Sequence, residues 1–206
     1  MKTPEIWIQT VSGARLDCAH LERNTYDAMD LAQGLSSQTR FAGQYRSDYT
    51  WSVLHHSWLV RLIVDILYDE DGFSYKVWRV ARLVALLHDG SEAFLGDLPT
   101  PFKRVLPEFV AYEHRMQYEI YRQYGLTDDD LSHSKEIVKS ADTSAMLVEA
   151  RVLGIPTENW GFEARVTDQM VDRFHLVEKY SINDLTSLFC MEANHGRYDL
   201  NTRELT

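Results

Sequence analysis

Two stretches of this chain repeat apolar residues at the spacing of a helix face, and they restrict the fold more than any other feature. The first, SVLHHSWLVRLIVDILY over residues 52–68, places Val53, Leu59 and Ile63 on one broad face. The second, over residues 76–88, carries the same period more densely, which predicts a helix that is buried on most sides. The core of the fold is therefore expected to be helical.

The rest of the chain is predicted to be mostly helical as well. Residues 6–16 (IWIQTVSGARL) alternate and turn at Ser12-Gly13, which is typical of a short β-hairpin. Further helices are predicted over residues 26–38, 107–124, 127–153 and 181–194. The pattern indicates an all-α fold, a single helical bundle with a small N-terminal β-hairpin.

Helix ends are signalled at several places. Pro107 is expected to open one helix and Gly125 to follow its end. Thr127, followed by three aspartates, predicts the start of the next helix, with a break near residues 132–134. Gly196 is interpreted as the stop of the last helix. Residues 157–170 carry no clear pattern.

Composition limits the partners of the chain. Its 206 residues are enough for one domain over residues 1–206, with the motifs described below between about 26 and 154. The net charge is −10 and no block of Lys and Arg occurs, so polymeric nucleic acid is not an expected partner, although a few convergent cations could still hold a small anion.

The two cysteines and the apolar runs bear on the compartment. Cys18 and Cys190 are not spaced as a metal motif or as a disulfide framework, which favours a reducing environment. The longest apolar runs are too short to span a bilayer, and MKTPEIWIQT has no signal core. The expected location is the cytoplasm, without a membrane partner.

Polar residues interrupt the apolar helix faces at three places. His56 lies on the apolar face of its helix, His88-Asp89 closes the next helix, and Asp142 is in register with Val138 and Ala145. Each residue alone is more typical of a hydrogen-bonded core histidine or a solvated acid. Together they offer two imidazoles and two carboxylates, a set that suits Mn²⁺, Fe²⁺, Co²⁺, Ni²⁺ or Zn²⁺, and buried aspartates need such a cation.

The order of these residues carries a resemblance. His56, then His88-Asp89, then Asp142 is similar to the H…HD…D signature of the HD-domain metal-dependent phosphohydrolases. The segments TRFAGQYRSDYTWSVLHHSWLV, LLHDGSEAFLGDLPTPFK and VKSADTSAMLVEA look like their motif blocks. The likeness runs from about Leu31 to Leu153 and is greatest to phage dATP triphosphohydrolases and bacterial 5′-deoxynucleotidases. It implies an HD-type helical bundle and, for a phage-encoded protein, the host cytoplasm as the location.

The resemblance implies a role for each matching residue. The implied metal ligands are His56, His88, Asp89 and Asp142. Glu92 matches the catalytic acid, which would orient or deprotonate the attacking water, and Asp97 matches a second acid beside the phosphate. On a helix Glu92 would lie one turn from His88, so both could face one volume.

The substrate-binding residues implied by the resemblance are Arg40, Phe41, Lys103 and Lys139. Arg40 would hold phosphate, Phe41 would lie near the nucleoside, and the two lysines are further phosphate candidates. His55 stands where relatives often carry an acid, and it either supports the site from behind or faces water. The implied cofactor is one divalent transition metal, Co, Mn, Zn, Ni or Fe, and additional Mg²⁺ or Mn²⁺ could accompany the phosphates.

The expected function is hydrolysis at the 5′ (α) phosphate of a small deoxynucleotide, most closely the release of deoxyadenosine and triphosphate from dATP, with action on dADP and dAMP as well. The alternative is a 5′-deoxynucleotidase restricted to monophosphates, and cyclic or hyperphosphorylated nucleotides are a weaker possibility. A non-catalytic binding or assembly module of the same fold would be expected to have lost ligands or Glu92, and this chain retains them. The resemblance also implies a homo-oligomer, a dimer or a hexamer.

Overall fold

The computed structural model describes residues 6–201, and helices dominate it. The helices are α1 Ala28–Ser37, α2 Val53–Asp71, α3 Tyr75–Leu87, α4 Glu92–Leu95, α5 Thr100–Lys103, α6 Pro107–Gln123, α7 Asp128–Val152, α8 Asp168–Glu178 and α9 Ile182–Asn201. Short 3₁₀ turns cover Leu21–Arg23 and Arg40–Gly43. The predicted all-α class is confirmed.

The predicted hairpin is also confirmed. Strands β1 (Trp7–Gln9) and β2 (Arg15–Asp17) pair antiparallel with Ile8 opposite Leu16. The buried Asp30 of α1 accepts hydrogen bonds from the backbone N–H and the hydroxyl of Ser12, at 2.8 and 2.7 Å. These two bonds attach the hairpin turn to the helical body.

Helices α2, α3 and α7 pack against one another and form the centre of the molecule. The face of α2 predicted to be apolar is buried, and α3 is buried from Val80 to Leu87 except for Arg82. Helices α1 and α9 pack on each other and cover this centre, while α8 covers α2. Among residues 6–201, no helix has the length and apolarity needed to cross a membrane.

Two predicted helix features are wrong. Helix α7 has no break at residues 132–134, because the buried Ser134 donates its hydroxyl to the Asp130 carbonyl at 2.8 Å and the helix continues past it. Gly196 does not stop α9 but lies inside it, where a Cβ would stand only 3.0 Å from Leu83 Cδ1. The glycine therefore permits a close approach between α9 and α3. Helix α8, which begins at the end of the segment without a clear pattern and continues past it, was not predicted.

A second glycine brings α1 against α4, the helix that begins at Glu92. A Cβ built on Gly34 would stand 2.3 Å from the Ala93 carbonyl oxygen and 2.7 Å from Ala93 Cβ. We expect Gly34→Ala to lower the free energy of unfolding by about 1–3 kcal/mol, the usual cost of overpacking a core. Urea unfolding measures this effect, with the exposed Gln33→Ala in the same helix as the control. Equal stability of the two variants would contradict the contact.

Candidate metal centre

Three central helices bring two imidazoles and a carboxylate together. His56 comes from α2, His88 directly follows α3, and Asp142 lies in the middle of α7. His56 Nε2 is 3.1 Å from Asp142 Oδ1, and His88 Nε2 is 3.9 Å from the same oxygen. One ligand atom from each of these three residues, which we call the ligand group, lies within 4.8 Å of the others. This is close enough for a single metal ion.

Asp89, the fourth predicted ligand, borders this group. Its Oδ2 is 3.2 Å from His88 Nε2 and 3.7 Å from His56 Nε2. Burial raises the pKa of Asp89, but the charges of His88, His56 and Arg40 outweigh it and hold that pKa far below the ordinary value. The carboxyl is therefore ionised and adjacent to both imidazoles.

Glu149, which was not predicted as a site residue, lies behind His56. Its Oε1 is 2.8 Å from His56 Nδ1 and accepts a hydrogen bond of 2.8 Å from the indole N–H of Trp51. Glu149 and Trp51 are fully buried. A carboxylate on the outer nitrogen of a histidine orients the ring and increases its basicity toward a metal. The position of Glu149, two helical turns after Asp142, was the signal that could have identified it.

The carboxylates on both sides control the charge of His56. Burial and the Arg40 charge oppose protonation, but Glu149 and Asp142 outweigh them and raise the pKa of His56 to about 10. The charges of His56 and Arg40 lower the pKa of Glu149, although its burial opposes this shift. In the absence of another cation the imidazole thus carries the positive charge that the buried Glu149 requires, whereas Asp142, which was expected to be buried, is only half-buried, with 40% of its side chain exposed.

Arg40 connects the ligand group to Asp97. Its guanidinium lies 3.5 Å from Glu149 Oε2 and 3.6 Å from Asp97 Oδ2, and its Nε is buried without a hydrogen-bond partner among residues 6–201. Arg40 therefore lies between Asp97 and Glu149, and its charge also acts on His56 and Asp89. Burial raises the pKa of Asp97 although Arg40 opposes the shift.

Glu92 is buried close to Asp89 and Asp97, the charges of which act on it. It does not continue the helix of His88, because α3 ends at Leu87 and a turn separates it from α4, with the Glu92 N–H donating to the Asp89 carbonyl at 2.9 Å. Burial and the charges of Asp89 and Asp97 raise the pKa of Glu92 well above its ordinary value. Its Oε2 is buried and has no hydrogen-bond partner in the described part of the chain.

Lys103 is occupied by two carboxylates. Its Nζ donates to Glu92 Oε1 at 3.1 Å and lies 2.8 Å from Oε1 of the buried Glu113 on α6. The lysine therefore positions Glu92 in this structure. Its predicted role as a phosphate ligand would require it to leave one of these carboxylates.

Lys139 lies in a cleft that borders the ligand group. It lines a cleft of about 510 Å³ together with His88, Asp142, Tyr121 and Lys135. Arg40, Glu92 and Asp97 do not line this cleft. Lys135 and Lys139 are one helical turn apart on α7, so two cations face the cleft at its border with the ligands. Lys135 was not predicted, and an i, i+4 pair of lysines on α7 was its only signal.

The residues present suit a divalent metal ion. The donor set of two imidazole nitrogens and carboxylate oxygen is typical of first-row divalent ions. His88 Nδ1 is engaged by the Ala85 carbonyl at 2.7 Å, whereas its Nε2, which points to the group, is buried without a well-formed hydrogen bond to any described residue. A metal ion would satisfy this nitrogen and offset the surplus of buried carboxylates.

His55 does not face solvent, and its link to the candidate metal site is indirect, through Trp51, which donates to Glu149. It is buried, stacks on Trp51 with 4.8 Å between ring centroids, and accepts the Ser52 N–H at 3.1 Å, which forms a capping box at the start of α2. Burial lowers its pKa to about 4 although the Glu149 charge opposes the shift. Its function in the structure is to begin the helix that carries His56.

The lowered pKa of His55 predicts a loss of stability in acid. In the unfolded chain a histidine titrates near 6.5, so its stabilising contribution is complete above that pH and is lost as the pH falls through 4. We expect this loss to be about 3 kcal/mol. The control is His55→Gln, which retains a capping box but does not titrate. Urea unfolding of the metal-free proteins from pH 7 to pH 4 should show the wild type losing more stability, and parallel curves would contradict this assignment.

The contacts of Glu149 predict effects on stability and on metal affinity. Replacement by Gln removes the charge that balances His56 and Arg40, so we expect the free energy of unfolding of the metal-free protein to fall by about 3–5 kcal/mol. Metal affinity should fall about 10–100-fold. Urea unfolding and metal titration measure the two effects, and the exposed Glu158→Gln is the control. Unchanged metal affinity would show that Glu149 does not act through His56.

Comparison with known proteins gives two relatives. The chain is 33% identical over 147 residues to the uncharacterized protein RCAP_rcc00048 of Rhodobacter capsulatus. The aligned region covers 70% of this chain and 71% of that protein. It is 30% identical over 149 residues to the uncharacterized protein YfdR of Escherichia coli, covering 72% and 73%. No protein-family model matches the chain.

Proposed function

The chain belongs to the same family as RCAP_rcc00048 of Rhodobacter capsulatus and YfdR of Escherichia coli, and from its candidate metal centre we propose that it is a divalent-metal-dependent phosphohydrolase of the HD superfamily. The observation that carries the proposal is the group His56, His88 and Asp142, whose ligand atoms lie within 4.8 Å of one another. Asp89 completes the predicted ligand set at 3.2 Å from His88 Nε2.

The surrounding residues support a hydrolytic reaction. When bound, a divalent ion lowers the pKa of water and polarises a phosphoryl oxygen. Glu92 accepts or orients the proton of the attacking water, for which a raised pKa is suitable near neutral pH. Arg40, whose guanidinium lies between Asp97 and Glu149, is the cation that offsets the negative charge that develops on the phosphoryl group.

The proposed substrate is a deoxynucleotide that is cleaved at the 5′ (α) phosphate, with dATP giving deoxyadenosine and triphosphate. Resemblance in the Arg40-Phe41 segment supports dATP, and the cleft bordered by His88 and Asp142 adds room and two lysines for a chain of several phosphates. We expect dADP and dAMP to be accepted as well. A 5′-deoxynucleotidase restricted to monophosphates is the alternative.

The experiment is a panel of nucleoside mono-, di- and triphosphates with Co²⁺ or Mn²⁺, with products separated by chromatography. Intact triphosphate that appears together with deoxyadenosine is the expected result. Inert dATP beside cleaved monophosphates would identify the alternative. A protein that binds the metal but cleaves none of the panel would overturn the proposal and indicate a binding module.

Two further properties are part of the proposal. The implied location is the cytoplasm, where free deoxynucleotides occur. The implied assembly is a homo-oligomer, a dimer or a hexamer. Light scattering after size-exclusion chromatography measures the assembly, and a monomer at all concentrations would contradict it.

A further inference from the structure

Helix α6 supports the turn that carries two of the predicted ligands. The turn lies between α3 and α4 and contains His88 and Asp89. The side-chain amide of Gln117 on α6 bonds both of its ends. The amide nitrogen donates to the Leu87 carbonyl at 2.8 Å, and the amide oxygen accepts the Ser91 N–H at 2.9 Å. One side chain thus closes the turn, with both ligands inside it.

The two backbone groups that Gln117 bonds lie in buried residues. Leu87 is the last residue of α3, where a carbonyl has no partner within the helix, and it is fully buried. Ser91, directly before α4, is 2% exposed. A buried backbone group that loses its hydrogen bond is not compensated by water and costs free energy. The amide is therefore a strong restraint on the shape of the turn.

A close approach between the turn and α6 makes these bonds possible. Gly90 of the turn is buried, and a Cβ built on it would stand 3.3 Å from Cδ1 of Ile120 and 3.0 Å from the Leu87 carbonyl oxygen. Ile120 and Gln117 are three residues apart, on one face of α6. The glycine therefore permits the backbone of the turn to lie against this face, where the amide of Gln117 holds it.

Helix α6 reaches the candidate metal centre a second time, one helical turn before Gln117. The buried Glu113 lies 2.8 Å from Lys103 Nζ, which donates to Glu92 Oε1 at 3.1 Å. Residues four apart lie on the same face of a helix, so one face of α6 contacts both the turn and the lysine that positions Glu92. The motif segments of the sequence contain no residue of α6, and its contribution is visible in the structure alone.

We infer that Gln117 is a positioning residue of the metal centre, because its amide closes the turn that holds His88 and Asp89. This inference rests on the proposed function, for which a metal ion at this centre is required. Ligands on an open turn must be ordered when an ion binds, and that ordering lowers affinity, whereas a closed turn presents both ligands already in place. Groups that orient metal ligands from behind raise the affinity of a site in this way.

The test is calorimetric titration of Co²⁺ into the metal-free wild type and into two variants of Gln117. Gln117→Met keeps an unbranched side chain but has no N–H for the Leu87 carbonyl and only a weak acceptor for the Ser91 N–H. Gln117→Asn keeps an amide that is one methylene too short to reach both groups. We expect the Kd of Co²⁺ to rise about 10-fold in each variant, the lower end of the range for groups that orient metal ligands.

The matched control is Gln123→Met on the same helix. The Gln123 amide forms the same pair of bonds, accepting the Tyr26 N–H at 2.8 Å and donating to the Tyr26 carbonyl at 3.4 Å. Tyr26 lies before α1, in a segment that carries none of the predicted ligands. Urea unfolding of the metal-free proteins should show a similar loss of stability in Gln123→Met and Gln117→Met, while Gln123→Met keeps the wild-type Kd.

Two outcomes would overturn the inference. An unchanged Kd in the Gln117 variants would show that the amide does not act on the ligands, and an equal rise in Gln123→Met would make loss of stability the cause. If Gln117→Met does not fold, the Kd of Gln117→Asn decides in the same way. A wild type that binds Co²⁺ but hydrolyses no nucleotide would contradict the proposed hydrolysis and leave this inference standing, whereas a wild type that binds no Co²⁺ would overturn both.

Discussion

Asp142→Ala is expected to abolish metal-dependent turnover and to remove the stabilisation that the metal gives. Asp142 Oδ1 is the oxygen that lies close to both His56 Nε2 and His88 Nε2, at 3.1 and 3.9 Å, so its removal takes away the carboxylate shared by the two imidazoles. In a buffer that holds the metal at 100 times the wild-type Kd, binding stabilises the fold by about 2.7 kcal/mol, which the variant should lose.

Thermal unfolding with and without metal, combined with metal analysis of the purified protein, measures this effect. The matched control is Glu136→Ala, an exposed acid on the same helix, which should keep both turnover and the metal-dependent shift in Tm. An Asp142→Ala protein that retains full metal content and full turnover would exclude Asp142 as a ligand.

Glu92→Gln is expected to lower turnover about 10²–10⁴-fold, the usual contribution of a positioned acid or base, while metal and nucleotide still bind. Gln retains the shape of the side chain and can still accept the hydrogen bond from Lys103, but it cannot take up a proton. The change therefore separates proton transfer from the packing of α4. Steady-state kinetics and metal titration give the two readouts.

The control for Glu92 is the exposed Glu108→Gln at the start of α6, which should leave turnover unchanged. Loss of the metal from Glu92→Gln would make Glu92 a ligand and remove its role as acid or base. Turnover equal to the wild type would assign that role to Asp97, the second predicted acid, which lies 3.6 Å from Arg40.

The sequence by itself determined the helical class and identified His56, His88 and Asp142 as three residues that the structure brings together. The period of apolar residues in α2 and α3 predicts which face is buried, and that face carries His56. Local signals also predicted the Thr127 cap and the hairpin turn, because caps and turns depend on a few adjacent residues. The ligand group followed from the identity and order of its residues, although their mutual distances did not.

Only the tertiary structure decided what lies behind and beside those ligands. Glu149 was visible as a residue on the same face of α7, but its contacts with His56, Trp51 and Arg40 arise from three separate segments. The role of Gly196 depends on Leu83 of another helix, so its local pattern was misleading. Trp160 contacts Phe41 across more than a hundred residues of chain. Such contacts depend on how helices pack, whereas periodicity and capping report only on neighbours along the chain.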